Sequence, residues 1–459
     1  MSHLDEMCIV GSFPFGGVFC PQPGCRRPNR GLRTEIINHG IMSIVVSKSL
    51  PVVVVGPCAG IVHLSSFDRC MPPFPVTLLL VFNQPIEDPV ETIKKALSQA
   101  LMHYPPMAGR TGDDGEGELH IACTGEGVSF VGASASCALD DEATRSALLL
   151  SDLAVGYPAE YCRLSDPFLL MQVTEFSRGG FIVGVTWNHV MADAAGMAQF
   201  LRAVGELARG MPAPAVAPVR SEIDGSVPRL PPLMVAAVRS QMRMETEELA
   251  SLDVTIPSSL IGRIKEECAG DCTVFEAVAA VLWRCRTRAV ISDADTDDPV
   301  AFAFPSNVRG LVGAKEGYYG NCVAMLQVQA SSAAVASGDM KDLVKLIKLA
   351  KEKVSDIFVN AGDETSDGAS RDEQQRAHPR SRYNTLSVSS WRSLGFEAVN
   401  FGPGRPARVM WKPHRTIGFV CVVCPPCNAR GEDGVNVVSF CVKPEHAGAF
   451  VAELAALNI

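Results

Sequence analysis

The chain has 459 residues, 47% of them hydrophobic and 20% charged, and carries a formal net charge of −9. That length supplies core for two or three domains, and an acidic balance without a basic stripe excludes nucleic acid as a partner class. No run of about 18 uncharged apolar residues occurs, so no membrane span is expected.

The longest apolar candidate, residues 50–62, is interrupted by Pro51, Pro57 and two glycines. Sixteen cysteines scattered over the chain read as free thiols in a reducing compartment. With no secretory h-region at the start and no glycosylation acceptor, a cytoplasmic location is expected. Net negative charge does not exclude an anionic co-substrate, which needs only a local basic or helix-terminus site.

Residues 1–41 are rich in Gly, Pro, Cys and Arg and lack periodicity, and read as a poorly ordered N-terminal extension. Cys8, Cys20, Cys25 and His39 fit no common zinc spacing. From residue 43 Val-rich strands alternate with turns. Residues 76–82 read as a strand, and 90–103 as an amphipathic helix with Ile93, Ala96, Leu97, Ala100 and Leu101 on one side, stopped by Pro105 and Pro106. Arg110 is placed on a loop, and residues 119–122 and 128–131 are strands. The Gly132-Ala-Ser-Ala-Ser136 run lacks the final glycine of a serine-hydrolase elbow.

The centre of the chain is residues 181–200. An apolar, β-branched run over 181–186 predicts a buried strand, and Met197, Phe200, Leu201 and Val204 recur at helical spacing over 194–210. His189 and Asp193 lie between, four residues apart. Imidazole is the side chain whose ordinary pKa suits proton removal near neutrality. An aspartate at i+4 orients it if both share a helical turn. The same pair also reads as a structural histidine followed by an Asp that caps the next helix.

Frequent prolines over 211–235 mark a linker. The second half continues with a strand at 254–256, a helix at 258–268, and a capping box, Thr273 to Glu276, ahead of a helix running to about Arg288. A strand at 302–305, a helix at 340–359 and a polar surface loop at 360–383 follow. Residues 385–389, 408–411, 417–423 and 435–442 read as strands of a closing sheet, and 444–457 as the last helix. Cys421, Cys424 and Cys427 invite a metal, but residues three apart on a strand face opposite ways, so they read as buried thiols and no metal is assigned.

Several stretches, in this order, resemble the plant BAHD acyltransferases, which move an acyl group from coenzyme A to an alcohol or amine. They are Leu64-Ser-Ser-Phe-Asp68, Tyr104-Pro-Pro-Met-Ala-Gly-Arg110, His189-Val-Met-Ala-Asp193, the 275–284 run, Asn307-Val-Arg309, Gly317-Tyr-Tyr-Gly-Asn321, Ser389-Ser-Trp391 and Asn400-Phe-Gly-Pro-Gly404. The resemblance runs from about residue 42 to the C-terminus, and is nearest in character to the benzyl alcohol benzoyltransferase and hexenol acetyltransferase group. It implies an α/β fold like that of chloramphenicol acetyltransferase. Two similar-sized domains of mixed β-sheet flanked by helices, 42–210 and 236–459, are joined by a long crossover at 211–235, with a channel at their interface.

It also implies an acyl-CoA-dependent O-acyltransferase in which His189 is the general base within a ternary complex. Acyl-CoA is then a co-substrate, a small alcohol or amine is the acceptor, no cofactor is permanently bound, and the protein is a monomer. Asp193 turns from the histidine to pair with Arg309, Trp391 is the candidate for the acceptor-pocket wall, and Thr273 the candidate for a coenzyme A phosphate, beside its plain reading as a cap. Asn400, Phe401, Gly402 and Gly404 form the motif at the edge of the cofactor channel. Two departures stand out: Ala194 replaces the glycine usual after the Asp, with Gly196 two residues on, while Asn400 and Pro403 replace an acid and a tryptophan. An amine N-acyltransferase and a non-catalytic ligand-binding homologue are the alternatives.

Overall fold

A computed structural model describes residues 34–36, 46–50, 52–57, 60–115, 119–139, 152–220, 227, 229–230, 235, 247–291, 298–359, 382–402, 404–414, 418–426 and 434–457. Cys8, Cys20, Cys25, His39, Pro403, Cys427 and most of the 360–383 loop lie outside them.

Two mixed sheets carry the fold. The first runs in the order β15 (Arg408–Lys412), β5 (Pro75–Phe82), β10 (Phe181–Asn188), β9 (Leu169–Phe176), β8 (Val128–Ala135) and β2 (Val46–Lys48), with β3 (Val52–Val54) also on β8. Only the β8–β9 pair is parallel. The second runs β1 (Thr34–Ile36), β11 (Ala250–Ile256), β17 (Val435–Val442), β16 (Val420–Cys424), β14 (Thr385–Ser390), β12 (Pro299–Asn307) and β13 (Val323–Ser331), with β14 parallel to both β16 and β12. A small third sheet joins β4 (Gly60–His63), β7 (Leu119–Cys123) and β6 (Arg110–Asp113).

Helices α1 (Pro89–His103) and α2 (Ala194–Ala208) pack with the first sheet, and α3 (Ser258–Glu267), α4 (Val274–Val290), α5 (Met340–Glu352) and α6 (Pro444–Ala456) with the second. Their starts follow local chemistry. Asp88 caps α1 ahead of Pro89, and Thr273 and Glu276 close a reciprocal box on α4. None of the described helices is long and apolar enough to cross a membrane.

Strands β5, β10, β16 and β17 are buried at every position, which is why their sequences run apolar without alternation. On β16, Cys421 and Val423 face the helices of the second sheet, whereas Val420, Val422 and Cys424 join the core of the first. The two sheets thus share one apolar layer, and the thiols of Cys421 and Cys424 are on opposite faces. Among the described residues no group of three or more His, Cys, Asp or Glu is arranged to hold a metal.

The structure corrects several expectations. Residues 408–412 do not close the second sheet; they cross back and extend the first, pairing antiparallel with β5 from Arg408↔Val81 to Lys412↔Thr77. The pattern of a strand names its faces but not the edge it joins. Here Met410 and Trp411 are buried in the first core, and Arg408 pairs with Asp253 on β11, tying the two sheets together. Residues 34–36, placed within the N-terminal extension, form an edge strand on β11. Arg110 opens strand β6 rather than lying on a loop. Strands β9 and β13 were not anticipated, and the single helix expected over 340–359 divides after Glu352 into α5 and a short helix, Val354–Val359.

Candidate active site

Strand β10 ends at Asn188, and five residues later Asp193 caps α2, its Oδ1 accepting from the Gly196 N–H at 2.9 Å. The turn between them carries His189 to a cavity of about 420 Å³ between the two sheets. The first sheet contributes Val76, Trp187 and Trp411 to its wall; the second contributes Ser306, Ser387 and Ser389 and the aromatic ring of Phe304. Trp391 closes one side, its ring centroid 6.2 Å from that of Trp187. The wall is therefore mostly apolar and rich in aromatic rings, with a few hydroxyls and few charges.

The imidazole of His189 stacks obliquely on Phe74, centroid to centroid 4.8 Å, and its Nδ1 is buried with no hydrogen-bond partner among the described residues. Burial lowers its pKa below the usual 6.5, and the carboxylates of Asp193 and Asp68 and the amide of Asn321 only partly oppose this. The ring is neutral near pH 7 and can accept a proton.

Asp193 is not aimed at that ring. Arg309, at the start of the short helix Arg309–Val312 beyond β12, grips it with both arms, Nη1 to Oδ2 at 2.9 Å and Nη2 to Oδ1 at 2.8 Å. The Cys322 N–H adds a third bond to Oδ2 at 2.9 Å. Burial pulls the Arg309 pKa down, but the Asp193 carboxylate more than offsets it, and the guanidinium stays charged. Gly196 explains how the 317–322 loop comes so close: a Cβ there would sit 1.9 Å from the Tyr319 carbonyl oxygen. Position 196 therefore requires a glycine, whatever stands at 194.

The other sequence candidates fall in different places. Thr273 spends its hydroxyl on the α4 cap, where Glu276 already brings a carboxylate paired with Lys351 at 2.6 Å; Phe275 and Lys351, not Thr273, reach the cavity wall. The 400–404 turn is absent from that wall. Asn400 Oδ1 accepts from the Gly402 N–H at 2.9 Å, Phe401 meets Phe82 edge-on at 5.4 Å, and Gly404 lies beside Gln84. The turn packs on α2 at Gly205, where a Cβ would come within 2.5 Å of the Asn400 carbonyl oxygen.

Sequence reasoning gave no role to Asp68, Arg220 or Asn321, which lie together under the His189 turn. Two of them sat in recognised stretches, Leu64–Asp68 and Gly317–Asn321. Arg220 had a fainter signal, as one of two arginines, with Arg229, in the proline-rich linker.

Comparison with known proteins agrees with this architecture. A family model described as "Transferase family" matches residues 59–456. Acyl transferase 15 of Oryza sativa subsp. japonica is 42% identical, over 91% of this chain and 99% of its own length. Myricetin 3-O-glucosyl 1,2-rhamnoside 6'-O-caffeoyltransferase AT1 of Crocosmia x crocosmiiflora is 32% identical, over 90% and 99% respectively. Among solved structures, that of vinorine synthase superposes with a TM-score of 0.68 at 18% identity, covering 90% of this chain and 98% of that one. The chain belongs to the Transferase family, the BAHD acyltransferases of plants.

Proposed function

We propose that the protein transfers an acyl group from an acyl-CoA thioester to a hydroxyl of a small specialised metabolite, with His189 as general base. The observation that carries this is the His189 imidazole on the wall of the cavity between the two sheets. Among the described residues that line the cavity, it is the one side chain with a base suited to neutral pH that is not already committed, since Asp193 is held by Arg309. His189 takes the proton of the acceptor hydroxyl as its oxygen attacks the thioester carbonyl. The tetrahedral intermediate then collapses, the C–S bond breaks, and the leaving thiolate recovers the proton from the imidazolium. The thioester is already activated, so both substrates react in one ternary complex and no acyl-enzyme forms. No resident cofactor enters the scheme.

The aromatic wall of Trp187, Trp391, Trp411 and Phe304 favours a flat aromatic group in the acyl donor, the acceptor or both. The caffeoyltransferase relative, whose acceptor atom is oxygen, supports an ester product. The test is a screen of acetyl-, benzoyl-, p-coumaroyl- and caffeoyl-CoA against a panel of alcohols and amines. Free thiol is followed by colorimetry and products by mass spectrometry. We expect ester to form only when both substrates are present, and intact protein mass to stay unchanged when the acceptor is left out. Amide formed faster than ester would make it an N-acyltransferase. Thioester binding without turnover by any pair would make it a ligand-binding homologue.

A further inference from the structure

Arg220 lies in the crossover between the lobes, where a charged side chain would ordinarily reach for solvent. Instead its side chain is only 5% exposed. Its Nη1 donates to Asp68 Oδ2 at 2.9 Å and its Nη2 to the Met191 carbonyl at 3.0 Å. Asp68 has no exposed side-chain surface and also accepts from the Ser65 N–H and Oγ–H and from the Asn321 backbone N–H and Nδ2–H. The same Asn321 Nδ2 donates to the carbonyls of His189 at 2.9 Å and Val190 at 3.2 Å. Three successive carbonyls of the 189–191 turn are therefore held by donors that converge on one carboxylate. A buried ion pair stabilises a fold little better than apolar residues of the same volume, so stability alone gives no reason for this arrangement.

We propose that Arg220 is a positioning residue for acyl transfer: from the crossover it anchors the backbone beneath His189 and neutralises Asp68, so that the ring stays in place and uncharged. This rests on the reading of His189 as the base. The titratable and charged groups around the ring come in balanced pairs. Asp193 on its own turn faces Arg309, and Asp68 on the short helix Ser66–Arg69 faces Arg220. The 317–322 loop adds Tyr318, Tyr319 and Cys322, whose pKa values burial raises, so they are neutral near pH 7.

The test uses full-length protein carrying Arg220→Met, Arg220→Lys, or Arg220→Met together with Asp68→Asn. The pKa of the His189 imidazole is read by ¹⁵N NMR, assigned by difference from His189→Ala. Rates and KM are read with whichever donor and acceptor pair turns over in the screen. In Arg220→Met the stranded Asp68 carboxylate should raise the imidazole pKa by about one unit. The double variant strands no charge, so its pKa should return to the wild-type value. The Met191 carbonyl has lost its Arg220 donor there, however, although Asn321 still holds those of His189 and Val190, and kcat should stay about 10-fold or more below wild type, with each KM within about twofold. Arg220→Lys should keep the wild-type pKa yet lose kcat, because one ammonium cannot span both acceptors as the guanidinium fork does. If Arg220→Met does not fold, the other two variants decide; if no pair turns over, the imidazole pKa decides. Wild-type kcat in the folded double variant, or an unmoved pKa in Arg220→Met, would overturn the proposal. Wild-type turnover by His189→Ala is a different result, which removes the base reading itself.

Discussion

The turn at 189–193 and the turn at 400–404 are both short interruptions of apolar sequence, and they are held by different means. The first is fixed by side chains from distant segments: Arg309 on Asp193, and Arg220 and Asn321 on its carbonyls. The second is fixed by packing and by single side-chain bonds, with no ion pair among them. The Asn400 carbonyl accepts from Arg209, its Oδ1 accepts from Gly402 two residues on, and Phe401 fills a slot beside Phe82. A turn held by ion pairs tolerates no change in those charges, whereas one held by single bonds and packing accepts a side chain that keeps the acceptor and the path. Two of the departures from the family pattern fall in the 400–404 stretch. They are Asn400 and Pro403; a third, Ala194, directly follows Asp193, while His189, Asp193 and Arg309 are retained.

That contrast can be broken most directly at His189. His189→Ala should lower kcat by about 10²-fold or more with the unfolding midpoint unchanged, as followed by circular dichroism. A folded variant of near-normal rate would remove the residue from the mechanism. Next come Asp193 and Arg309. Removing either member of this buried pair leaves the other charge stranded, at a cost of about 3–5 kcal/mol of stability. Denaturant unfolding of Asp193→Ala, Arg309→Ala and the double variant should show the double losing about 0.5–3 kcal/mol less than the sum of the singles. Strictly additive losses, or an Asp193→Asn protein that is stable but slow, would restore the carboxylate as the partner of His189.

A third measurement concerns pH. Burial depresses the His189 pKa, so the base is present above that pKa and is lost as pH falls through it. The acid limb of kcat/KM should lie below the ordinary histidine value of about 6.5. A limb above that value would mean that a carboxylate dominates the ring's surroundings. The smallest effect is expected at the second turn. Asn400→Asp keeps the acceptor that meets the Gly402 N–H, so stability should move by less than about 0.5 kcal/mol and kcat hardly at all. A large rate change there would show that the 400–404 turn does communicate with the cavity.

The sequence by itself determined the features that arise within a few residues. The unbroken apolar run of 181–186, the 3.6-residue period of α1 and the Thr273 and Glu276 box are settled by neighbours on the same element, and all three are present. Residue composition also placed a histidine at the strand-to-helix turn. Two strands escaped for physical reasons. On β13 buried residues alternate with half-exposed ones through a run containing Gln327 and Gln329, and on β9 the buried Gln172 and Thr174 mask a strand that is apolar in its setting. The Gln172 Nε2 donates to the Asp152 carbonyl and to Thr174, which satisfies that half of the amide.

Only the tertiary structure decided which groups meet. Arg309 reaches Asp193 across 116 residues, and Arg220 reaches Asp68 across 152. No local periodicity encodes either contact, and for the first the family resemblance alone supplied the pairing. The same holds for β15, whose sequence says strand but whose partner edge is set by the burial of Trp411 and the charge on Asp253. A free carboxylate or guanidinium in the sequence can be satisfied by water or by any opposite charge. Folding removes the water, and the geometry of the two packed sheets selects the one partner within reach.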